Sequence, residues 1–207
     1  MPASTGIALP IIVRQVLTGS AGVAQQKAIA EKATQTFLQG TPVQVDVAGA
    51  SGFIIACPTM TSVATAKIAG FSTQPGANLT TAGVAKTQNL TNKVPNQASA
   101  VITPIGAPPN DGLAYFTVAS DDTEFVGVFG DSSDNTLAVL AQALIATPGP
   151  GYGLFKDPGN SFWYVDNHVV TAATGACVEI TALIDPIGTL NGKVMFRVNR
   201  AAQQLNV

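Results

Sequence analysis

From about residue 34 onward, short strand-like runs bounded by turn residues dominate the chain. The run Val43–Val47, VQVDV, alternates with a period of two, which is the pattern of a half-buried strand. Other apolar or aromatic runs are bounded by turn-forming residues such as Pro, Gly, Asn and Asp. Together they predict roughly eight to ten mostly antiparallel strands, with candidates at 36–38, 43–47, 53–57, 64–71, 100–105, 113–118, 125–129, 152–156, 162–166, 178–184 and 194–198.

Only one segment has convincing helical spacing. In residues 136–146, TLAVLAQALIA, the leucines fall on one face of a helix. Asp134 or Ser133 can act as the N-cap, and the Pro/Gly-rich run 147–151 stops the helix. The sequence therefore predicts one main helix over about residues 134–146. Residues 24–33 contain helix formers but no full apolar stripe, so a short helical turn or an irregular segment is expected there.

The predicted fold is mostly β within the α+β class. We expect an antiparallel barrel-like or sandwich-like body at 34–207, either as one unit or as subdomains 34–110 and 111–207, and an extended N-terminal arm at 1–33. The apolar residues of the arm have few local partners, so residues 1–20 are expected to add along a neighbour's sheet edge. A disordered tail is the alternative. The arm residues predicted to contact a partner are Ile7, Leu9, Ile11, Ile12 and Val13.

The C-terminal segment predicts a hairpin with a long, ordered connection. Its strands are 178–184 and 194–198, and the connection contains the turn dipeptides Asp185-Pro186 and Asn191-Gly192. The turn residues are expected to shape the connection and to take no part in chemistry.

Composition restricts the partners of the protein. Charged residues make up 11% of the 207 residues, and the net charge is −2. A typical domain has about 25% charged residues, so this surface suits a protein that buries much of itself against partners. No basic run predicts a nucleic-acid partner, no apolar run approaches the roughly 18 residues of a membrane span, and no signal-peptide pattern is present at the N-terminus.

Few residues suggest catalysis or metal binding. The single histidine, His168, has Asp166 two residues before it, but the nucleophile elbow of a hydrolase is missing. Five carboxylates lie close in sequence and supply oxygen ligands of the kind that bind Ca²⁺, but their spacing matches no calcium loop; they are Asp121, Asp122, Glu124, Asp131 and Asp134. The sequence predicts a non-enzymatic protein without cofactor or metal.

Three further residues have two interpretations each. Trp163 lies in an aromatic strand pattern that predicts a core or subunit contact, with a carbohydrate platform as the alternative. Cys57 and Cys177 lack metal-ligand spacing, so buried free thiols are expected and a long-range disulfide is the alternative.

Four motifs together resemble the head decoration, or cement, proteins of tailed bacteriophages. They are FLQGTPV at 37–43, IAGF at 68–71 followed by GAN at 76–78, WYVD at 163–166, and the closing segment 178–196. The resemblance covers most of residues 36–198 and leaves the arm out. It implies a virion protein on the outer surface of the capsid, bound to the major capsid protein and to copies of itself, often as a trimer.

Two other functions share parts of this pattern. A tail or fibre protein of a phage would have the same composition and would differ in its location and copy number in the particle. A carbohydrate-binding module would use Trp163 and Tyr164.

Overall fold

The fold is built almost entirely from β-strands. The computed structural model describes residues 12–16, 24–48, 52–58, 66–79, 81–83, 112–146, 151–171 and 176–205. Eleven strands lie in these ranges, and the mostly β prediction is confirmed. They are β1 (Ile12–Val16), β2 (Gln26–Ala30), β3 (Pro42–Val45), β4 (Ile54–Ala56), β5 (Gly70–Ser72), β6 (Leu113–Val118), β7 (Thr123–Gly130), β8 (Gly151–Lys156), β9 (Trp163–Thr171), β10 (Val178–Leu183) and β11 (Lys193–Val198).

Five strands form a first closed barrel in the order β2-β6-β5-β3-β4. All four of these pairings are antiparallel. A parallel bridge between Glu31, just after β2, and Ile54 of β4 closes the ring. Five strands cannot alternate in direction all the way around a ring, so one neighbouring pair has to be parallel.

A second five-stranded barrel also closes through one parallel pair of strands. Its order is β7-β11-β10-β8-β9, and the ring closes because β9 also pairs with β7. That closing pair is parallel, with Phe129 opposite Val165, and the other four pairs are antiparallel. β1 lies outside the ring and pairs antiparallel with the first half of β7, from Thr123 to Val126. Closure leaves few free strand edges in either barrel.

The two barrels share one core. Phe71 of the first barrel lies with its ring centroid 4.3 Å from that of Phe125 and 5.8 Å from that of Phe196, both in the second barrel. These rings belong to the main apolar cluster, which takes most of its members from the second barrel. A smaller cluster, including Val43 and Phe116, fills the first barrel. The barrels therefore stabilise each other through common apolar burial.

Close backbone approach in the first barrel requires glycine at position 70. A Cβ on Gly70 would lie 2.0 Å from the carbonyl oxygen of Thr117 on the neighbouring strand. In the second barrel, a Cβ on Gly130 would lie 2.4 Å from Cδ2 of Tyr164. Gly70 therefore allows close approach of a neighbouring strand, and Gly130 allows the aromatic ring of Tyr164 to pack on the backbone.

The predicted main helix at 134–146 is wrong. The structure has two short 3-10 turns there, Asn135–Leu137 and Gln142–Ile145, and no α-helix anywhere in the described ranges. Between the turns, Ala138 and Leu140 are buried while Val139 is exposed, which is strand-like alternation. Ala138 and Leu140 form backbone hydrogen bonds with residues 188–191, and none of the α-helical bonds to the residue four positions earlier is made there. Tertiary pairing has overridden helical propensity.

The N-terminal segment contributes strands to the body. Residues 26–30, where a helical turn or irregular segment was expected, form β2 and pair with β6. The predicted strand at 36–38 is a loop in which Phe37 and Leu38 are buried, and the candidate at 100–105 lies outside the described residues.

Candidate interaction surface

Exposed apolar side chains concentrate at one place on the surface. Of the six large apolar side chains that are exposed among the described residues, five lie within residues 137–139 and 184–190, and these two segments are joined by pairing between 138–140 and 188–191. We call these five the apolar ridge; they are Leu137, Val139, Ile184, Ile187 and Leu190. The sixth, Val47, lies in the first barrel's β3–β4 connection. Scattered apolar residues are normal on a surface, but a contiguous group marks an interaction site.

A backbone ladder holds the two segments of the ridge together. Val139 and Leu190 form an antiparallel bridge. The N–H of Leu140 donates to the carbonyl of Thr189 at 3.0 Å, and the N–H of Gly188 donates to the carbonyl of Leu140 at 2.8 Å. The N–H of Asn191 donates to the carbonyl of Ala138 at 2.8 Å. These bonds fix the backbone of 138–140 against that of 188–191.

The underside of the ridge is anchored in the main core. Leu140 is 1% exposed and belongs to the main cluster. A Cβ on Gly192 would lie 2.5 Å from Cδ1 and 2.9 Å from Cγ of Leu140. The buried position of Leu140 therefore leaves no room for a side chain at residue 192. The left-handed backbone positions of the connection are Gly188 and Asn191, with φ of 89° and 52°.

The connection also fixes its own shape. Asp185 accepts the N–H of Lys193 through Oδ2 at 2.8 Å, and the N–H of Thr189 donates to the carbonyl of Pro186 at 3.1 Å. The turn role expected of Asp185 agrees with this geometry.

Few charged residues lie along the ridge. Residues 135–146 and 186–192 contain no Asp, Glu, Lys or Arg, but Asp185 lies between the ridge residues Ile184 and Ile187. Its Oδ2 accepts the N–H of Lys193, and Asp134 accepts the N–H of Thr136. Lys193 is exposed at the start of β11.

The exposed part of the ridge can contribute substantially to binding. Its side chains are between 37% and 61% exposed. Fully burying such a side chain gives about 1.5–3 kcal/mol, so burying the remaining half of all five gives about 4–7 kcal/mol per ridge. Association costs an estimated ~4–15 kcal/mol, so the ridge needs either a matching apolar surface or several simultaneous contacts.

This surface was hard to predict from the sequence. Exposed apolar residues have no periodic signature, and residues 137–144 looked like a buried helix face. The available signal was Ile187 and Leu190, two large apolar residues within a turn-rich connection where polar residues are the norm.

The acidic residues at 121–134 do not converge. Asp131 accepts the N–H groups of Ser133 and Asp134 at 2.9 and 3.0 Å, the Ser133 hydroxyl at 2.6 Å and the Asn167 amide at 3.1 Å. Burial acts to raise the pKa of Asp131, but these hydrogen bonds outweigh it and lower the pKa from its usual value. The Asp131 carboxylate therefore holds the loop that follows β7 in place. In the described part of the chain, no three His, Cys, Asp or Glu side chains are placed to hold a metal ion.

The other acidic positions have separate environments. Asp121 accepts from Nε2 of Gln203 at 2.8 Å, and Glu124 is buried in β7. Asp166 accepts from the N–H and hydroxyl of Ser132 at 2.8 and 2.7 Å. It also accepts the backbone N–H of His168, whose side chain is exposed.

The residues predicted to contact a partner are dispersed. Trp163 is 2% exposed and belongs to the main cluster, so its ring is not accessible to a partner or a sugar. Ile12 and Val13 lie in β1, opposite Val126 and Phe125 of β7 in the same chain. Ile7, Leu9 and Ile11 lie outside the described residues.

Both cysteines are free, buried thiols. Burial, and secondarily the neighbouring Cys177, raises the pKa of Cys57 well above its usual value. Burial raises the pKa of Cys177 to about 12.

None of the helical turns in the described ranges approaches the length of an apolar membrane-spanning helix. No protein-family model matches the chain, and comparison with curated proteins and with solved structures likewise found no match.

Proposed function

We propose that the chain is a non-enzymatic virion protein that binds the outer surface of a tailed-phage capsid and stabilises the shell by bridging its subunits. The apolar ridge is the observation that carries the proposal, because a group of exposed apolar side chains on a fixed backbone is typical of a protein–protein interaction surface. The choice of a phage capsid as the partner rests on the four motifs that resemble head decoration proteins, at 37–43, 68–78, 163–166 and 178–196.

The size of the ridge favours a lattice over an isolated pair. The ridge contributes energy of the same order as the cost of a single association, so one contact alone is weak. On an icosahedral shell, many copies bind at once, and each further contact is made at a high effective concentration. A repeated, modest contact therefore fits this surface better than one tight complex does.

The barrels suit the same role. Two closed rings that share a core leave few strand edges for unwanted pairing, which matters when copies crowd on a surface. The 11% content of charged residues keeps repulsion between neighbouring copies low.

The proposal is tested by adding the purified protein to expanded shells assembled from the phage's major capsid protein alone. We expect the protein to sediment with the shells at a fixed ratio to capsid subunits and to raise the temperature at which the shells disrupt. Absence of both effects would overturn the proposal. The number of copies per virion separates this role from a tail or fibre protein, which is present in far fewer copies than the capsid subunits.

A further inference from the structure

We propose that Cys57 and Cys177 form a disulfide that locks the two barrels together when the protein meets a small disulfide oxidant outside a reducing compartment. The structure describes the reduced form, in which both residues are thiols. This inference concerns the contact between the barrels and does not depend on the capsid role.

The two cysteines enter the same core from different barrels. Cys57 follows β4, and its N–H donates to the carbonyl of Pro42 in β3 at 2.9 Å, so it belongs to the first barrel. Cys177 directly precedes β10 of the second barrel, and its Sγ lies 3.7 Å from the carbonyl oxygen of Tyr152 in β8. Both cysteines are members of the main apolar cluster, where the barrels meet.

A short path of hydrogen bonds connects the two residues. The thiol of Cys57 donates to the carbonyl of Lys67 at 3.6 Å, and the N–H of the following residue donates to the carbonyl of Ala202 at 2.9 Å. The N–H of Ala202 donates to the carbonyl of Asn199 at 2.8 Å, and the N–H of Asn199 donates to the carbonyl of Cys177 at 2.9 Å. Residues 199–202 therefore link the immediate surroundings of both thiols.

The two thiols also affect each other electrostatically. Cys177 adds to the effect of burial in raising the pKa of Cys57. Because the interaction between charges falls with distance, this effect indicates that the two sulfur atoms are neighbours in the cluster. A disulfide requires Cβ atoms about 3.5–4.5 Å apart, so its formation would fix the distance between the barrels at this point.

The reaction is a thiol–disulfide exchange with a small disulfide such as oxidised glutathione. The thiolate of one cysteine attacks a sulfur of the oxidant, forms a mixed disulfide and releases one glutathione thiolate. The second cysteine attacks the mixed disulfide, which forms the Cys57–Cys177 bond and releases the second glutathione. The protons of the two cysteines pass to the released thiolates, so two thiols are oxidised and one molecule of oxidant is reduced.

Burial determines when this exchange takes place. The raised pKa values keep both thiols protonated in the folded state, whereas only a thiolate attacks a disulfide. We therefore expect exchange during folding or after a transient opening of the contact between the barrels. The bond would close a loop of more than half of the chain, and long loops restrict the unfolded state most strongly.

The first test refolds the reduced, full-length protein from urea in buffers with different ratios of reduced to oxidised glutathione. Peptide mapping by mass spectrometry without reductant measures the Cys57–Cys177 bond. We expect its equilibrium constant to be at least about tenfold larger in the folded protein than in the same buffers with urea, because folding brings the thiols together. An equal constant in urea, or a refolded protein that carries only thiols or glutathione adducts, would overturn the proposal.

The second test compares the unfolding in urea of the oxidised and reduced protein. We expect the oxidised wild type to unfold at a higher urea concentration. Cys57→Ala and Cys177→Ala are the matched controls, because each retains one thiol and cannot form the bond, so the oxidant should leave their midpoints unchanged. The wild-type comparison stands by itself if either variant does not fold. An oxidised wild type that unfolds at the same or a lower urea concentration, or an equal gain in the variants, would contradict the proposed lock.

Discussion

The contact between Gly192 and Leu140 gives the sharpest prediction about the construction of the ridge. In Gly192→Ala, the new Cβ would lie 2.5 Å from Cδ1 of Leu140, 2.9 Å from its Cγ and 3.3 Å from Cβ of Asp185. Leu140 is 1% exposed and is packed in the main cluster. Forcing a methyl group into a packed core costs about 1–3 kcal/mol, so we expect that loss in the free energy of unfolding.

A double-mutant cycle tests the cause of this loss. Leu140→Ala alone removes a buried leucine and is expected to cost about 2–5 kcal/mol. Because it also removes the atoms that the new Cβ would meet, Gly192→Ala should cost little in the Leu140→Ala background. The expected coupling between the two substitutions is about 1–2 kcal/mol, within the usual range for residues in contact.

Urea unfolding followed by circular dichroism gives the four free energies. Gly188→Ala is the comparison for backbone strain, because Gly188 has φ of 89° and nothing within 4 Å of the added Cβ. Its cost should not depend on residue 140. Strictly additive effects of Gly192→Ala and Leu140→Ala would refute the proposal that Leu140 is packed directly against Gly192.

Three further predictions concern buried polar groups and thiols. Glu31→Ala should lower the free energy of unfolding in urea by about 1–3 kcal/mol, because both carboxylate oxygens accept the N–H of Ala77, at 2.8 and 2.9 Å; an unchanged midpoint would contradict this. Cys57 and Cys177 should resist iodoacetamide at pH 8 in the native state and react once unfolded, because their raised pKa values keep them protonated; rapid native labelling measured by mass spectrometry would show otherwise. Asp131 has a lowered pKa, so it stabilises the fold above its usual value of 3.8, and this contribution is lost as the pH falls through the lower folded-state value. Asp131→Asn should therefore flatten the acid side of a stability-against-pH curve, and an unaltered curve would count against that role.

Strands were predictable where the local pattern of apolar residues decides the structure. The alternating run at 43–47 and the apolar run at 113–118 correspond to β3 and β6. Closure of the barrels was not predictable. β2 pairs with β6, which lies far later in the chain, and the first ring closes through one parallel bridge at Glu31. Such pairings depend on distant residues that no local pattern specifies.

The error at 134–146 has a similar origin. Leucines at 137, 140 and 144 fit a helical face, yet Leu137 is 55% exposed while Leu140 is buried. The competing hydrogen-bond partners are supplied by residues 188–191, about fifty positions later in the chain, so the local spacing could not reveal them. The ridge was missed for the same reason, since it exists only when the two segments are paired.

The most direct test of the capsid role is a cryo-electron microscopy reconstruction of the assembled particle. We expect density for both barrels on the outer face of the shell, in a regular array. A reconstruction that places the chain in the tail, or a mature particle without it, would contradict the proposed function.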